Sequence, residues 1–497
     1  MMEHTDQENT EQIVGKVEIP PVTGVYAEPW SFKKLFGLLA VFGPAAIVAS
    51  VSIGAGETIV VVSTGAWAGY GLLWLVLLSC VVKGIFVTYF LGRYTAVSGE
   101  HIGHRLVRLP GPRGWFLIAI IALEMIGAPL AWVPISKPCG DLFHFILRDI
   151  LPTSISEPIW ENIITSAFVA LALIFGLMLS FEKLEKQQII ICGILVGGTI
   201  VGTLMVRPDF GKAVTGSLNF GHLPDATDWA PSDAVKNPLL TMATAFAYVG
   251  GSVMGYVVYA NWIGLHRWGL TGHEKISAIQ RYAFTQDTID YLPEDPAQAN
   301  QLRKIIAPLR WDVGIGAIVL FIVTGAFMLS GAAVLYPLQT EFKGWSLLTE
   351  QAHVWGNIHA SLVWVYYICI IAALWGTLQA LPEIYARVMQ EFFQAIWPNR
   401  EWDYGRIRRR VCLYIFIATM ILVWLNVKFD ILTQIAGFIL ANFAIALMMV
   451  AALYLNFKLP ALYRTRLPML VGGLISAAIL ICFAVISGWG LITKFLG

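Results

Sequence analysis

Apolar positions along this chain form long runs instead of alternating with polar ones or recurring on one helical face. Eleven runs are long enough to cross a bilayer, which takes about 20 mostly apolar residues. They lie at roughly 36–67, 71–97, 115–136, 159–180, 188–206, 238–264, 312–335, 360–385, 409–427, 430–457 and 468–494. The pattern predicts an all-α integral membrane protein with eleven transmembrane helices. The first and sixth runs are unusually long and carry glycines at mid-span. Between the runs, segment 207–237 reads as an irregular solvated cap. Segment 265–310, with "TIDYLPEDPAQANQLRKII", reads as an acidic turn followed by a surface helix. Neither is long enough to argue for a separate soluble domain.

Composition agrees with this reading. Of 497 residues, 57% are hydrophobic and 13% charged, against roughly 25% charged in a soluble domain. A net charge of +1 gives no reason to expect a nucleic-acid partner; the bilayer is the expected one. Oligomeric state is not legible. Lys and Arg concentrate in alternate loops: Arg105, Arg108 and Arg113, then Arg267 and Arg281, then the run "RIRRR" at 406–410. Such loops face the cytoplasm. The N-terminus is therefore expected inside and the C-terminus outside, in the plasma (inner) membrane. A polar, acidic start argues against a signal peptide. The six cysteines form no CxxC pair and read as small buried hydrophobes. No phosphate-binding loop, HExxH or GxSxG is present, so neither an enzyme nor a resident cofactor is expected. His101 and His104 read as a solvated loop pair, and Glu383 with Arg387 as an i, i+4 helix ion pair.

The two glycine-bearing runs resemble each other in plan. The first reads "FGPAAIVASVSIGAGETIVVVSTGAWAGYG" and the sixth "NPLLTMATAFAYVGGSVMGYVVYANWIG". Each starts near a proline, Pro44 or Pro238, and each has a mid-span pair, Gly54 with Gly56 or Gly250 with Gly251. Paired interruptions at matching positions of two halves point to a transporter binding site. Backbone freed at membrane depth is tolerated only where something polar meets it. Glu57 lies at the first interruption. An intramembrane carboxylate is costly unless compensated. Lys83, mid-span in "LLSCVVKGIFVTYF", is open to three readings: a neighbour of the site that offsets Glu57 or Glu124, a mark of an anionic or zwitterionic substrate, or a lysine paired structurally away from the site or nearer the interface.

Four stretches, in order, resemble the Nramp divalent-metal transporters: "GPAAIVASVSIGAGE" with "GAWAGYGLLW", "VGGSVMGYVVY", "GTLQALPEIYARVMQEFF" and "LTQIAGFILANFAIAL". The resemblance implies an inverted repeat of five plus five helices with one extra C-terminal helix. The divisions would be an N-terminal tail at 1–35, repeats at 36–206 and 238–457, and the eleventh helix at 468–494. It also implies a metal site, but this chain departs from the family motifs. Gly54, Ala55 and Glu57 stand where the family has the aspartate, proline and asparagine of DPGN. Gly255 and Tyr256 replace the proline and histidine of MPH, and Leu440 replaces a second glutamine. The retained candidates are the Gly54 and Gly251 carbonyls, Glu57, Met254 and Gln434, with Lys83, Glu124 and Tyr256 as modulating neighbours. Ala131 and Pro134 stand where proton-coupled members carry acids. The expectation is a transporter of divalent cations of the Mn²⁺/Mg²⁺ class, weakly or not proton-coupled. The alternatives are a carrier of a small organic or zwitterionic solute, or a binding homologue that does not transport.

Overall fold

The computed structural model describes residues 16–22, 27–28, 31–39, 43–52, 54, 56–225, 227–286, 288–341, 348, 352, 356 and 359–496. The first long run is broken into α1 (Pro44–Ser52), a π-helical stretch at Gly56–Val61 and α2 (Val62–Ala68). Then follow α3 (Leu73–Ser98), α4 (Trp115–Leu147), α5 (Glu157–Met178) and α6 (Phe181–Val206). The sixth run is also broken, into α7 (Pro238–Tyr248) and α8 (Val253–Leu265). The remainder is α9 (Ala307–Ser330), α10 (Ala360–Ile396), α11 (Tyr404–Trp424), α12 (Phe429–Lys458) and α13 (Leu467–Leu496).

Nine helical segments among the described residues are long and apolar enough to cross a membrane, against eleven expected. The other two runs are the interrupted first one and α11, whose first turns carry Arg406, Arg408, Arg409 and Arg410. Ala55, expected at the first break, lies outside the described residues. Outward faces are apolar, as lipid requires: Ile190 and Leu204 on α6 and Val485 and Trp489 on α13 are all exposed.

The broken segments sit inside this shell. α1 packs against α6, α8, α9 and α10, and the π-helical stretch packs against α7. Asp312 of α9 starts α1. Its carboxylate accepts the Gly43 and Ala45 N–H groups at 2.9 Å each and the Tyr259 hydroxyl at 2.9 Å. A helix N-terminus leaves such N–H groups unpaired and favours a negative charge.

Part of the expected tail is a packed element. Val17 and Ile19 are buried. Val17 N–H donates to Tyr291 O at 2.8 Å, and Gln301 Nε2 donates to the Ile19 and Pro20 carbonyls at 2.7 Å each. The histidine pair departs from expectation too. His104 is buried, its ring centroid 3.9 Å from that of Phe284 and 5.3 Å from that of His101. The close of segment 265–310 against α3 and the helix Ile102–Leu106 removes the His104 ring from water, while His101 stays half-buried. Glu383 and Arg387 do pair, and Tyr404 donates to the same carboxylate. All six cysteines are free, Cys482 alone being exposed.

Candidate functional site

Each break leaves backbone groups that a continuous helix would satisfy, and the protein meets them with side chains. α7 stops at Tyr248, and the chain runs through Gly250, at φ +105°, before α8 begins. A side chain there would be strained by that φ. At the end of α7, Lys83 Nζ donates to Phe246 O at 2.6 Å and Ala247 O at 2.9 Å. Ser79, one turn earlier on α3, donates its hydroxyl to Val249 O at 2.7 Å and Phe246 O at 3.2 Å. The freed N–H groups have their own acceptors. Glu57 takes Gly54 N–H on Oε2 at 3.1 Å and Gly250 N–H on Oε1 at 3.2 Å. The Tyr256 hydroxyl takes Gly251 N–H at 3.2 Å.

Glu57 therefore ties the two breaks together. It is fully buried, as is Lys83, and the two lie within range of direct charge interaction. Glu57 stands in for an anion at broken N–H groups and Lys83 for a cation at broken carbonyls. Close approach makes this possible: a Cβ on Gly56 would lie 2.5 Å from Tyr248 O.

A cavity of about 100 Å³ opens between the breaks. Gly54, Gly56, Gly250, Gly251 and Ser252 line it, with Ala131 and Trp132 from α4, Thr377 and Tyr385 from α10, and Leu440 from α12. Much of the wall is apolar. One polar exception is distinctive: among the described residues, the Tyr248 hydroxyl, on a wall residue, has no hydrogen-bond partner. Behind the wall, Glu124 Oε1 accepts the Ser252 and Tyr385 hydroxyls at 2.9 Å each, while Oε2 has no hydrogen-bond partner. Buried polar groups left unpaired are rare enough to require a reason. Glu124 is fully buried, and its neighbours are hydroxyls and the Met254 backbone, with no basic residue.

The sequence candidates thus fall in different places. Gly54 and Gly251 are in the cavity wall. Glu57, Lys83 and Tyr256 hold the breaks. Glu124 backs the wall. Met254 is fully buried in the first turn of α8 and Gln434 lies in α12; neither contributes to the wall. Gln434 donates to Asp233 Oδ2 at 3.1 Å and accepts from Lys494 Nζ at 2.9 Å, tying α12 to the last turn of α13. Ser252, Tyr248, Trp132, Tyr385 and Asp312 were not singled out from sequence. The hydroxyl and indole residues flanking the second glycine pair and "LAWVP" were the available signal. A separate cluster, His144, Glu157 and Glu161, has ligand atoms within 4.8 Å of one another. It is outside the cavity wall, and Lys137 already sits 3.4 Å from Glu161.

Two half-helices meeting at a small central cavity, each break closed by buried charge, define a membrane protein of the broken-helix class. The sequence matches the Nramp pattern, described as natural resistance-associated macrophage protein-like, over residues 45–490, and the chain belongs to that family. It is 21% identical over 334 residues to the divalent metal cation transporter MntH of Latilactobacillus sakei. That match spans 67% of this chain and 60% of the relative's length. A crystal structure of a variant of the Eremococcus coleocola manganese transporter superposes with TM-score 0.63 at 14% identity, covering 98% of this chain and 92% of that one. A 130-residue stretch, 26% of this chain, is 32% identical to the fluoride-specific ion channel FluC of Stutzerimonas stutzeri and covers 89% of that protein.

Proposed function

We propose that this protein carries divalent metal cations of the Mn²⁺/Mg²⁺ class across the membrane through the cavity between its two broken helices. The observation that carries the reading is Glu124. Glu57 and Lys83 offset each other, whereas Glu124 has only neutral partners beside a cavity whose Tyr248 hydroxyl is unpaired. The site thus keeps one carboxyl that no basic residue offsets, a group whose charge a bound cation would stabilise. The names of the MntH and manganese-transporter relatives support the same reading.

The donors available at the wall are hydroxyls and backbone oxygens. These suit a hard ion that keeps part of its water shell, and the cavity has room for several waters. The carboxylate opposes fluoride. Met254 is off the wall, so little preference for Mn²⁺ over Mg²⁺ is expected. Transport proceeds by motion of the repeat at 36–206 against that at 238–457, without proton coupling, since Ala131 faces the cavity and the Tyr256 hydroxyl is engaged with the backbone. The protein sits in the plasma (inner) membrane with its N-terminus inside.

Titrating Mn²⁺ and Mg²⁺ into purified protein, then measuring uptake into liposomes with an internal pH dye, tests the set. Saturable heat from both ions and uptake without a pH change are expected. Heat from neither ion refutes the metal reading. A second reading, a small organic solute, is favoured by the apolar wall residues Ile135, Leu381, Ile384 and Leu440. Binding without uptake identifies a non-transporting homologue.

A further inference from the structure

We propose that Lys83 is a tethered ion: its ammonium fills a monovalent-cation site built by the broken end of α7. The inference concerns the scaffold and holds whatever the cavity carries. Four observations converge on Lys83 Nζ. Two carbonyls from the C-terminal turn of one half-helix, Phe246 O and Ala247 O, point at it from 2.6 and 2.9 Å. The Phe246 ring presents its face 4.7 Å away, held by stacking on Phe483 at 3.9 Å and 7°. The Glu57 carboxyl lies across the break within range of direct charge interaction with it, held by the Gly250 N–H. Ser79, one turn earlier on α3, reaches the same broken end, its hydroxyl at 3.2 Å from Phe246 O and 2.7 Å from Val249 O.

Half-helix C-termini and unwound carbonyls are the groups with which broken-helix transporters bind Na⁺. They carry the negative end of the helix dipole, and a ring face adds attraction for a cation. Here the set is complete, and a lysine reaches into it from the neighbouring helix. The ammonium is three donors and a unit charge on a flexible stem. It satisfies the carbonyls as a free ion would, without depending on the ion's concentration. The wild-type fold should therefore be indifferent to which monovalent salt is present. Removing the side chain should leave a vacant site of matching charge.

The test is thermal stability of full-length purified protein in choline, Li⁺, Na⁺ and K⁺ chlorides at equal ionic strength. Lys83→Ala and Lys83→Ser vacate the site. Lys83→Met fills the space without charge. We expect the wild type and Lys83→Met to melt at the same temperature in all four salts, Lys83→Met lower throughout. Lys83→Ala or Lys83→Ser should be rescued saturably by one of the inorganic ions by at least about 2 °C. Recovery of folded Lys83→Ala only from an inorganic salt supports the proposal equally. It is overturned if neither small variant distinguishes choline from any of the three ions. It is also overturned if both fail to fold in every salt while Glu57→Gln/Lys83→Ala folds in all, because Lys83 is then only the counter-charge of Glu57.

Discussion

Replacing Glu124 by glutamine removes a carboxyl that can carry charge beside a bound cation, while leaving shape and most hydrogen bonding in place. The amide oxygen can still accept the Ser252 and Tyr385 hydroxyls that now lie 2.9 Å from Oε1. Those hydroxyl-bearing residues are part of the cavity wall, so an ion coordinated by either at about 2.2 Å sits roughly 5 Å from the carboxylate. Between a double positive charge and a single negative one at that separation, Coulomb's law gives about 1.7 kcal/mol at the dielectric of water. At an effective dielectric of about 20 it gives about 6.6 kcal/mol. The lower figure alone is worth more than tenfold in affinity, since 1.4 kcal/mol is a factor of ten. Calorimetric titration of Mn²⁺ and Mg²⁺ into wild type and Glu124→Gln should therefore show at least about a tenfold weaker dissociation constant for both ions. The melting temperature in metal-free buffer should move little. A folded Glu124→Gln that binds Mn²⁺ within twofold of wild type refutes the assignment of the site's charge to Glu124. The metal reading of the cavity would go with it.

Glu57→Gln should behave in the opposite way. An amide cannot accept on both sides, so Gly54 or Gly250 N–H loses its partner at about 1–3 kcal/mol, and Lys83 loses its offsetting charge. Its melting temperature should fall further than that of Glu124→Gln, and an equal or smaller fall contradicts the tie between the breaks. Gly56→Ala places a methyl 2.5 Å from the Tyr248 carbonyl, which cannot rotate away. A loss of about 1–3 kcal/mol by overpacking and loss of ion heat are expected, and wild-type heat in a stable variant would count against close approach of the breaks. Burial, with His101, Arg108 and Arg105 nearby, holds His104 well below the usual histidine range. The unfolded chain takes up a proton near pH 6.5 before the folded one does. Stability should thus fall as pH drops below about 6.5, by up to about 1.4 kcal/mol per unit from this group, and His104→Phe should flatten the profile of melting temperature against pH. An unchanged slope excludes His104 as the source. Val17→Asp puts a charge at a buried position and should speed tryptic cleavage at Arg267 and Arg281, while unchanged cleavage would mean the packed 16–20 segment does not restrain that loop.

What could be read from sequence was what depends on local chemistry. The glycine pairs announced both breaks because glycine is legible residue by residue: the positive φ at Gly250 is a local requirement, and at Gly56 the missing Cβ admits Tyr248 from the other break. The family resemblance followed from four ordered stretches, and the matched span of residues 45–490 bears it out. The site's electrostatics could not be read in the same way. Glu124 meets Ser252 across 128 residues and Tyr385 across 261, and nothing in "LEMIGAPLAWVP" says which oxygen stays unpaired. Gln434 shows the limit of register. It occupies a matching place in α12, yet Lys494 from the final helix and Asp233 claim its side chain. Asp312 lies at the start of a predicted span, where nothing local marks its role. Its work as the N-terminal partner of α1 depends on residues more than 260 positions earlier.

The three buried charges at the centre can be told apart by what they touch. Glu57 and Lys83 bind backbone at the two interruptions. Unsatisfied backbone at membrane depth costs several kcal/mol per group, so this pair can keep both helices broken with no ligand present. Glu124 accepts from two side-chain hydroxyls, with the Met254 backbone beside it and no basic residue among its partners. Its burial is offset far less completely by the protein, and a bound cation would supply the difference. With an acid and a base of its own at the breaks, the chain needs no ligand there to hold the helices open. That accounts for a carboxylate within the first glycine pair's reach that does not line the cavity. With Glu57 bound to the Gly54 and Gly250 N–H groups, the backbone at the first break is satisfied without an acid at Gly54 itself.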